Sequence, residues 1–353
     1  LTVRAAIVGV GGYTGRELWR ILLAHPEVDL VLAVSDQLAG ANSHEILGGV
    51  DRHRGARPVV PREALNHLEA GAVDVAFLAT PAEVSLALAP QLLKLGTKVI
   101  DLSGAFRFPS PEPYPLWYGF EHEHANLLKE THRGIPEWVG APKEGTRLIA
   151  NPGCYPTATA IGLTPFVRAG LGLSQSILVE GKSGATGAGR KGDLHLSVGE
   201  AGESIVAYGY PRHRHAPEME ELLGGQCRVA FVPHLLSVRR GLLITAHIQI
   251  QTHTLGNEAA KVLEDPTGHL FAAYNDKQFI RVLSDRFPSF RDVVGSNLAA
   301  VRAVFDQRTE TLSVFCAIDN LLKGAAGQAI QHMNLLMGLE ADAGLHHLSF
   351  ASA

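Results

Sequence analysis

A chain of 353 residues, 46% of them apolar, is long enough to bury a large core and to divide into about two domains. Its 31 basic residues against 35 acidic ones give a net charge of −4 with no long basic tract, which argues against a nucleic-acid partner and for small molecules. No apolar run approaches the roughly 18 residues of a membrane span, and Cys154, Cys227 and Cys316 lack CxxC spacing, so reduced thiols in a cytoplasmic setting are expected rather than disulfides or a zinc site. No basic segment followed by an apolar one opens the chain, and its first residue, Leu1, leaves a trimmed start open.

In chain order, residues 3–8 form a nearly continuous apolar run, as expected of a strand buried on both faces. The glycines of GVGGYTG follow, and Leu18, Trp19, Leu22 and Leu23 then mark one side of a helix over 16–23. Strand, glycine turn and helix is the context a dinucleotide requires, because a pyrophosphate must approach backbone N–H groups where a side chain would stand in the way. Gly9, Gly12, Tyr13, Thr14 and Gly15 are therefore candidate cofactor residues, although an ordinary tight turn would read the same way. A second strand, 30–34, ends at Ser35 and Asp36, where the adenosine ribose is read. Asp36 suits a ribose 2′-hydroxyl and hence NAD, Ser35 a 2′-phosphate and hence NADP, and the residues leave both open.

Residues 37–61, rich in Gly, His and Arg and without a period, predict a loop with a broken helix. Regular structure resumes with a strand over 73–79, a helix over 83–95 stopped by Gly96, and a strand over 98–102. This alternation predicts an α/β fold with a parallel sheet, whose strand ends, ATPAE at Ala79 and DLSGAFR at Asp101, should edge a cofactor crevice. Ser103 and Arg107 are candidates for substrate or phosphate binding, since a guanidinium grips carboxylate or phosphate with two parallel bonds. A surface salt bridge is the plainer alternative.

The stretch 148–165, LIANPGCYPTATAIGLTP, gathers the strongest chemical signal. A short apolar strand is broken by Asn151, Pro152 and Gly153, and a helix is expected from Pro156. Cys154 then stands at a helix N-terminus, where orphan N–H groups and the dipole favour the thiolate. A buried structural cysteine would need no such bend. Beyond it come a strand over 176–182 and a loop over 183–192, SGATGAGRKG, whose cations Arg190 and Lys191 suit an anion such as departing phosphate. In YGYPRHRHAPEMEELL, His213 and His215 precede a helix expected from Pro217. No nearby Cys or carboxylate completes a metal set, so acid/base work is expected and no metal. Strands over 228–232 and 242–250 follow, the second alternating as an antiparallel, half-exposed strand would. After a strand over 312–318, the small residues 324–329 of DNLLKGAAGQA let a helix approach another backbone or a cofactor closely.

Taken together, GVGGYTG at Gly9, FLATPAEVS at Phe77, DLSGAFR at Asp101, ANPGCYPTAT at Ala150, KSGATGAGRK at Lys182, YGYPRHRHAPEME at Tyr208, FVPHLLSVRRG at Phe231 and DNLLKGAAGQA at Asp319 resemble the N-acetyl-gamma-glutamyl-phosphate reductase family. This is the arginine-pathway member of the semialdehyde-dehydrogenase-like group. The resemblance implies a Rossmann-like NADP-binding domain over 1–153 and 319–353. It also implies an α+β catalytic and oligomerisation domain over 154–318, with a mainly antiparallel sheet. It further implies NADPH-dependent reduction of a small acyl phosphate, in a homodimer or homotetramer. Cys154 matches the nucleophile and His215 the acid/base, with His213 its rival or a phosphate contact. Gly12 and Gly15 match the dinucleotide turn, Ser183, Gly184 and Gly187 the loop facing cofactor and substrate, and Asn320 and Lys323 the segment closing over the nicotinamide. Arg107 and Arg190 are implied anion holders. Asp36 departs from the pattern, as does YPRHRH. Other acyl phosphates, aspartyl or carrier-bound, and a non-catalytic dinucleotide sensor stay open.

Overall fold

The computed structural model describes residues 2–47, 58–173, 176–189 and 204–346. Two compact units emerge, one of Leu1–Gly153 with Ala325–Leu348 and one centred on Cys154–Gly324. Residues 319–324 were expected in the first and belong to the second. The reason is local bonding: Asp319 accepts from Gly295 N at 2.8 Å, and the Asn320 amide bonds Gly241 and Thr186.

The first unit holds one sheet of β1 (Val3–Val8), β2 (Val28–Val34), β3 (Val59–Val60), β4 (Val75–Leu78), β5 (Lys98–Asp101), β6 (His132–Arg133) and β7 (Leu148–Ala150). Their order is β3-β2-β1-β4-β5-β7-β6 with every pair parallel. The chain runs outward from β1 through β2 to β3 and returns to β4 on the other flank. That reversal leaves a switch point beside β1, where ligands of such sheets bind. All four residues of β4 are buried, as a parallel strand covered on both faces must be. The helix Tyr13–Ala24 buries Leu18, Trp19, Ile21 and Leu22, and the closing helix Ala326–Met337 packs beside it. Residues 37–61 contain, where described, a short helix, Ser43–Leu47, and the edge strand β3, which the irregular sequence concealed.

The second unit is built on β8 (Ser176–Gly184), β9 (Ile205–Ala207), β10 (Arg228–Leu236), β11 (Leu242–Gln249), β12 (Ile280–Val282), β13 (Ala299–Asp306) and β14 (Thr311–Ile318). Among the described residues the order is β12-β13-β14-β11-β8-β10-β9, with β8/β10 and β12/β13 parallel and the other pairs antiparallel. The sheet is therefore mixed and mostly antiparallel. β11 is antiparallel to both neighbours and alternates as expected: Leu242, Ile244, Ala246 and Ile248 are buried on one face, while on the other Leu243 and His247 are partly exposed and Gln249 is exposed, Thr245 alone being buried there. Against this sheet lies the helix Cys154–Arg168, buried from Tyr155 to Val167. A Cβ on Gly162 would sit 3.2 Å from Val314 and 3.6 Å from Cys316 and Ile244, so the helix rests on β14 and β11 with only hydrogen between. Each buried Leu, Ile or Phe along it contributes about 1.5–3 kcal/mol relative to exposure. Among the described residues no helix is long and apolar enough to cross a membrane.

Candidate active site

The helix begins at Cys154 itself, two residues before the expected Pro156. Asn151 explains the break: its N–H donates to Asp101 O at 2.8 Å and its amide to Pro152 O at 3.2 Å, which closes β7 and turns the chain. The thiol thus sits on the first helical residue, within the field of the helix's positive end. Cys154 takes part in no disulfide and is half-buried, whereas Cys227 and Cys316 are buried. On its other flank a Cβ on Gly324 would lie 2.6 Å from the Cys154 Cβ, so only glycine fits there.

Rings gather next to it. The Tyr155 ring lies across β8 where Gly181 leaves space, a Cβ there meeting its Cε1 at 2.2 Å. Its centroid is 4.9 Å from Phe231, 6.0 Å from His215 and 6.2 Å from His213. His213 stands edge-on to His215 at 4.8 Å and to Tyr208 at 5.7 Å. The His215 N–H donates to His213 Nδ1 at 3.1 Å, which assigns the remaining proton of a neutral His213 to Nε2. Burial, with the Arg214 charge assisting, pushes His213 down to about 4, so near neutral pH it carries no positive charge for a phosphate. The expectation that it holds an anion is therefore recast: it can donate one neutral hydrogen bond. Tyr208 is pushed up to about 12, mainly by burial, with negative charge at Cys154 acting in the same sense. It stays a protonated phenol near Cys154 at neutral pH.

His215 opens the helix His215–Leu222, two residues earlier than expected. One turn on, the Glu218 carboxylate, 2% exposed, lies 4.0 Å from His215 Nε2. A buried carboxylate behind an imidazole orients it and favours its protonated form. A helix starting at Pro217 would leave His215 outside it, whereas the start at His215 brings the HxxE spacing of His215 and Glu218 onto one helical face.

The described part of the glycine-rich segment, 183–189, continues a strand into a 3₁₀ turn. Ser183 and Gly184 belong to β8, and a Cβ on Gly184 would be 2.9 Å from the Arg239 and Arg240 backbone. Gly184 N donates to Gly241 O and Ala185 N to Val238 O, both at 2.9 Å, while Thr186 Oγ1 donates to Arg239 O at 2.8 Å. Asn320 closes the frame, accepting from Gly241 N and donating to Thr186 Oγ1 at 2.9 Å each. Its amide braces protein segments at both ends. Lys323, expected beside it, is fully buried with its ammonium 5.4 Å from the Phe279 ring centre. Arg240 grips the buried Asp319, Nη2 to Oδ1 and Nε to Oδ2 at 3.2 Å each. Gly187 is exposed, and Arg190 lies outside the described residues.

In the first unit the glycine turn divides its work. Gly9 has φ +102°, and a Cβ there would meet Ala79 O at 2.3 Å; one on Gly15 would meet Gly9 O at 2.2 Å. Those two glycines satisfy the protein's own packing. A Cβ on Gly12 would meet nothing nearer than Gly9 O at 3.8 Å, which leaves a cradle at the start of the helix that Tyr13 opens. First-turn N–H groups such as those of Tyr13 and Thr14 suit a pyrophosphate, and the residues present fit a dinucleotide. Ser35 Oγ faces this turn, 3.2 Å from where a Gly11 Cβ would stand. Ser103 and Arg107 serve the scaffold: Ser103 Oγ donates to the buried Asp101 at 2.8 Å, and Arg107 donates to Leu102 O at 2.9 Å and Asn151 O at 3.2 Å. Among the described residues no three His, Cys, Asp or Glu side chains converge as a metal set.

Residues 4–143 match the family model described as semialdehyde dehydrogenase, NAD binding domain, and residues 154–320 that described as semialdehyde dehydrogenase, dimerisation domain. The fold is thus that of the semialdehyde dehydrogenase class. Within that class, the chain is 40% identical over 353 residues to the N-acetyl-gamma-glutamyl-phosphate reductase of Acidithiobacillus ferrooxidans, covering 98% of this chain and 99% of the other. It is 39% identical over 351 residues to that of Dehalococcoides mccartyi, covering 98% of each. The chain belongs to the N-acetyl-gamma-glutamyl-phosphate reductase family. In fold it is similar to aspartate semialdehyde dehydrogenase II from Vibrio cholerae complexed with ASA, at a TM-score of 0.72 and 18% identity over 96% of this chain and 99% of that one. The Candida albicans aspartate semialdehyde dehydrogenase with NADP gives 0.64 at 16% identity, over 96% and 99%.

Proposed function

We propose that this chain reduces N-acetyl-gamma-glutamyl phosphate to N-acetylglutamate 5-semialdehyde and phosphate, using NADPH, in arginine biosynthesis. The observation that carries the reading is Cys154: half-buried on the first residue of a helix, beside Gly324, and followed in the chain by Tyr155, whose ring faces His213 and His215. Family membership supplies the substrate class.

The Cys154 thiolate attacks the acyl carbonyl, the acyl–oxygen bond breaks, and phosphate leaves with the bonding pair as a stabilised anion. A thioester on Sγ keeps the acyl group fixed and electrophilic. NADPH held by the glycine turn would supply the hydride chemistry that reduces this thioester. His215, held by Glu218, gives a proton to the oxygen formed and takes it back as the carbon–sulfur bond breaks, releasing aldehyde and thiolate. His213, neutral and fixed by the His215 N–H, positions that imidazole. Gly12 and the first turn from Tyr13 would hold the pyrophosphate, and Ser35 the adenosine end. Reduced thiols fit a cytoplasmic setting, and the chain acts as a homo-oligomer.

A dinucleotide-free incubation tests the reading. Mixed with N-acetyl-gamma-glutamyl phosphate alone, the wild-type chain should release a burst of about one phosphate per subunit, and Cys154→Ala none. Running aspartyl phosphate and a carrier-bound acyl phosphate alongside decides the substrate. A larger burst with either would overturn the N-acetylated assignment, and no burst with any would overturn the thioester.

A further inference from the structure

The end of β2 presents two side chains, and they face different ways. Ser35 Oγ faces the dinucleotide turn, 3.2 Å from the position a Gly11 Cβ would take. Asp36 is turned to the neighbouring strand: its Oδ1 accepts the Arg62 backbone N–H at 2.7 Å, and its Oδ2 lies 3.9 Å from Arg62 Nε. Arg62 opens the 3₁₀ helix Arg62–His67 directly after β3, and Ser35 N donates to Val60 O at 3.0 Å, so β2 and β3 hold both ends of this contact. Both side chains are about half exposed, Arg62 at 49% and Asp36 at 54%.

An acid that selects NAD must offer its carboxylate to the ribose diol. Here one carboxylate oxygen is already held by a backbone N–H and the other lies beside a guanidinium. A ribose 2′-phosphate at this strand end would meet a serine hydroxyl and an exposed arginine whose partner acid is held aside. We propose that Arg62, set in place by Asp36 and acting with Ser35, is the 2′-phosphate selector of this chain, and that Asp36 anchors the arginine rather than reading the ribose. This rests on the NADPH reading above and names the residues that enforce it.

The test is binding rather than turnover, on the full chain, with NADPH, NADH, 2′,5′-ADP and 5′-AMP titrated by calorimetry. Wild type should prefer the two 2′-phosphorylated ligands. Arg62→Ala retains the backbone N–H that holds Asp36, so the turn survives. It should weaken NADPH and 2′,5′-ADP by about ten- to a hundredfold and leave NADH and 5′-AMP within about twofold. Arg62→Lys should recover only part of the loss, because an ammonium lacks the planar fork. Asp36→Asn should leave NADH binding unchanged. An Arg62→Ala chain that keeps the wild-type preference would overturn the selector role while NADPH stands, and so would loss of NADH binding in Asp36→Asn. A wild type that binds NADH as tightly as NADPH would overturn the NADPH reading itself.

Discussion

Cys154 and Cys316 are the same side chain at two places in one packing arrangement, and the contrast between them shows what makes a thiol reactive. The helix that Cys154 begins rests at Gly162 on β14, where Cys316 faces it. In the middle of the sheet, opposite Ile244 and Val301, Cys316 is fully buried. Burial pushes its thiol far up, and the opposing influence of the Lys323 charge does not win. At the helix start, Cys154 is half-buried, with a peptide dipole behind it and the phenols of Tyr155 and Tyr208 within its electrostatic reach. Reactivity here belongs to the position, not to the residue type.

The contrast breaks most sharply by substitution. Cys154→Ala should lower turnover by more than about a hundredfold, about 2.7 kcal/mol of barrier, with dinucleotide affinity nearly unchanged. Cys316→Ala should keep kcat and cost only stability, read by urea unfolding. If the two variants lost activity equally, the assignment would fail. Next, Glu218→Gln should lower kcat by about tenfold and move the limb of the pH–rate profile that reports the protonated imidazole to lower pH, since the charge favouring that form is gone. An unshifted profile would make Glu218 a packing residue only.

Overpacking sharpens the comparison from the other side. Gly162→Val inserts a side chain between helix and sheet and should cost about 1–3 kcal/mol of stability, seen as a lower urea midpoint. The remaining effect is in pH. His213 titrates near 4 in the folded chain and near 6.5 when unfolded, so the unfolded state binds more protons between those values. The stability difference is fully present above about 6.5 and is lost as pH falls toward about 4. His213→Gln should flatten that slope in urea titrations at several pH values, while Cys316→Ala should leave it as steep as in wild type.

Much of this was legible in the sequence, for reasons of range. Asn151, Pro152 and Gly153 act within a few residues, and so does the alternation of strands and helices in the first unit. The glycine turn announced itself because strand, turn and helix are contiguous. What escaped depends on partners far along the chain. The two amide partners of Asn320, Gly241 and Thr186, lie 79 and 134 residues away, and nothing beside it in the chain announces them. Lys323 is charged and yet fully buried, and nothing local marks it. Asp36 was ambiguous because Arg62, which turns it aside, is 26 residues away. Glu218 was missed although close by, since two residues of error at the helix start hid its spacing from His215.

At Gly324 a lone hydrogen faces the Cys154 β-carbon, so the nucleophile has no clearance on that flank. Any attempt to fit a bulkier acyl chain by enlarging the site must therefore carve from the tyrosine and histidine flank, residues 208–215. The turn after β14 is a fixed wall, and remodelling it would shift the sulfur before it widened anything.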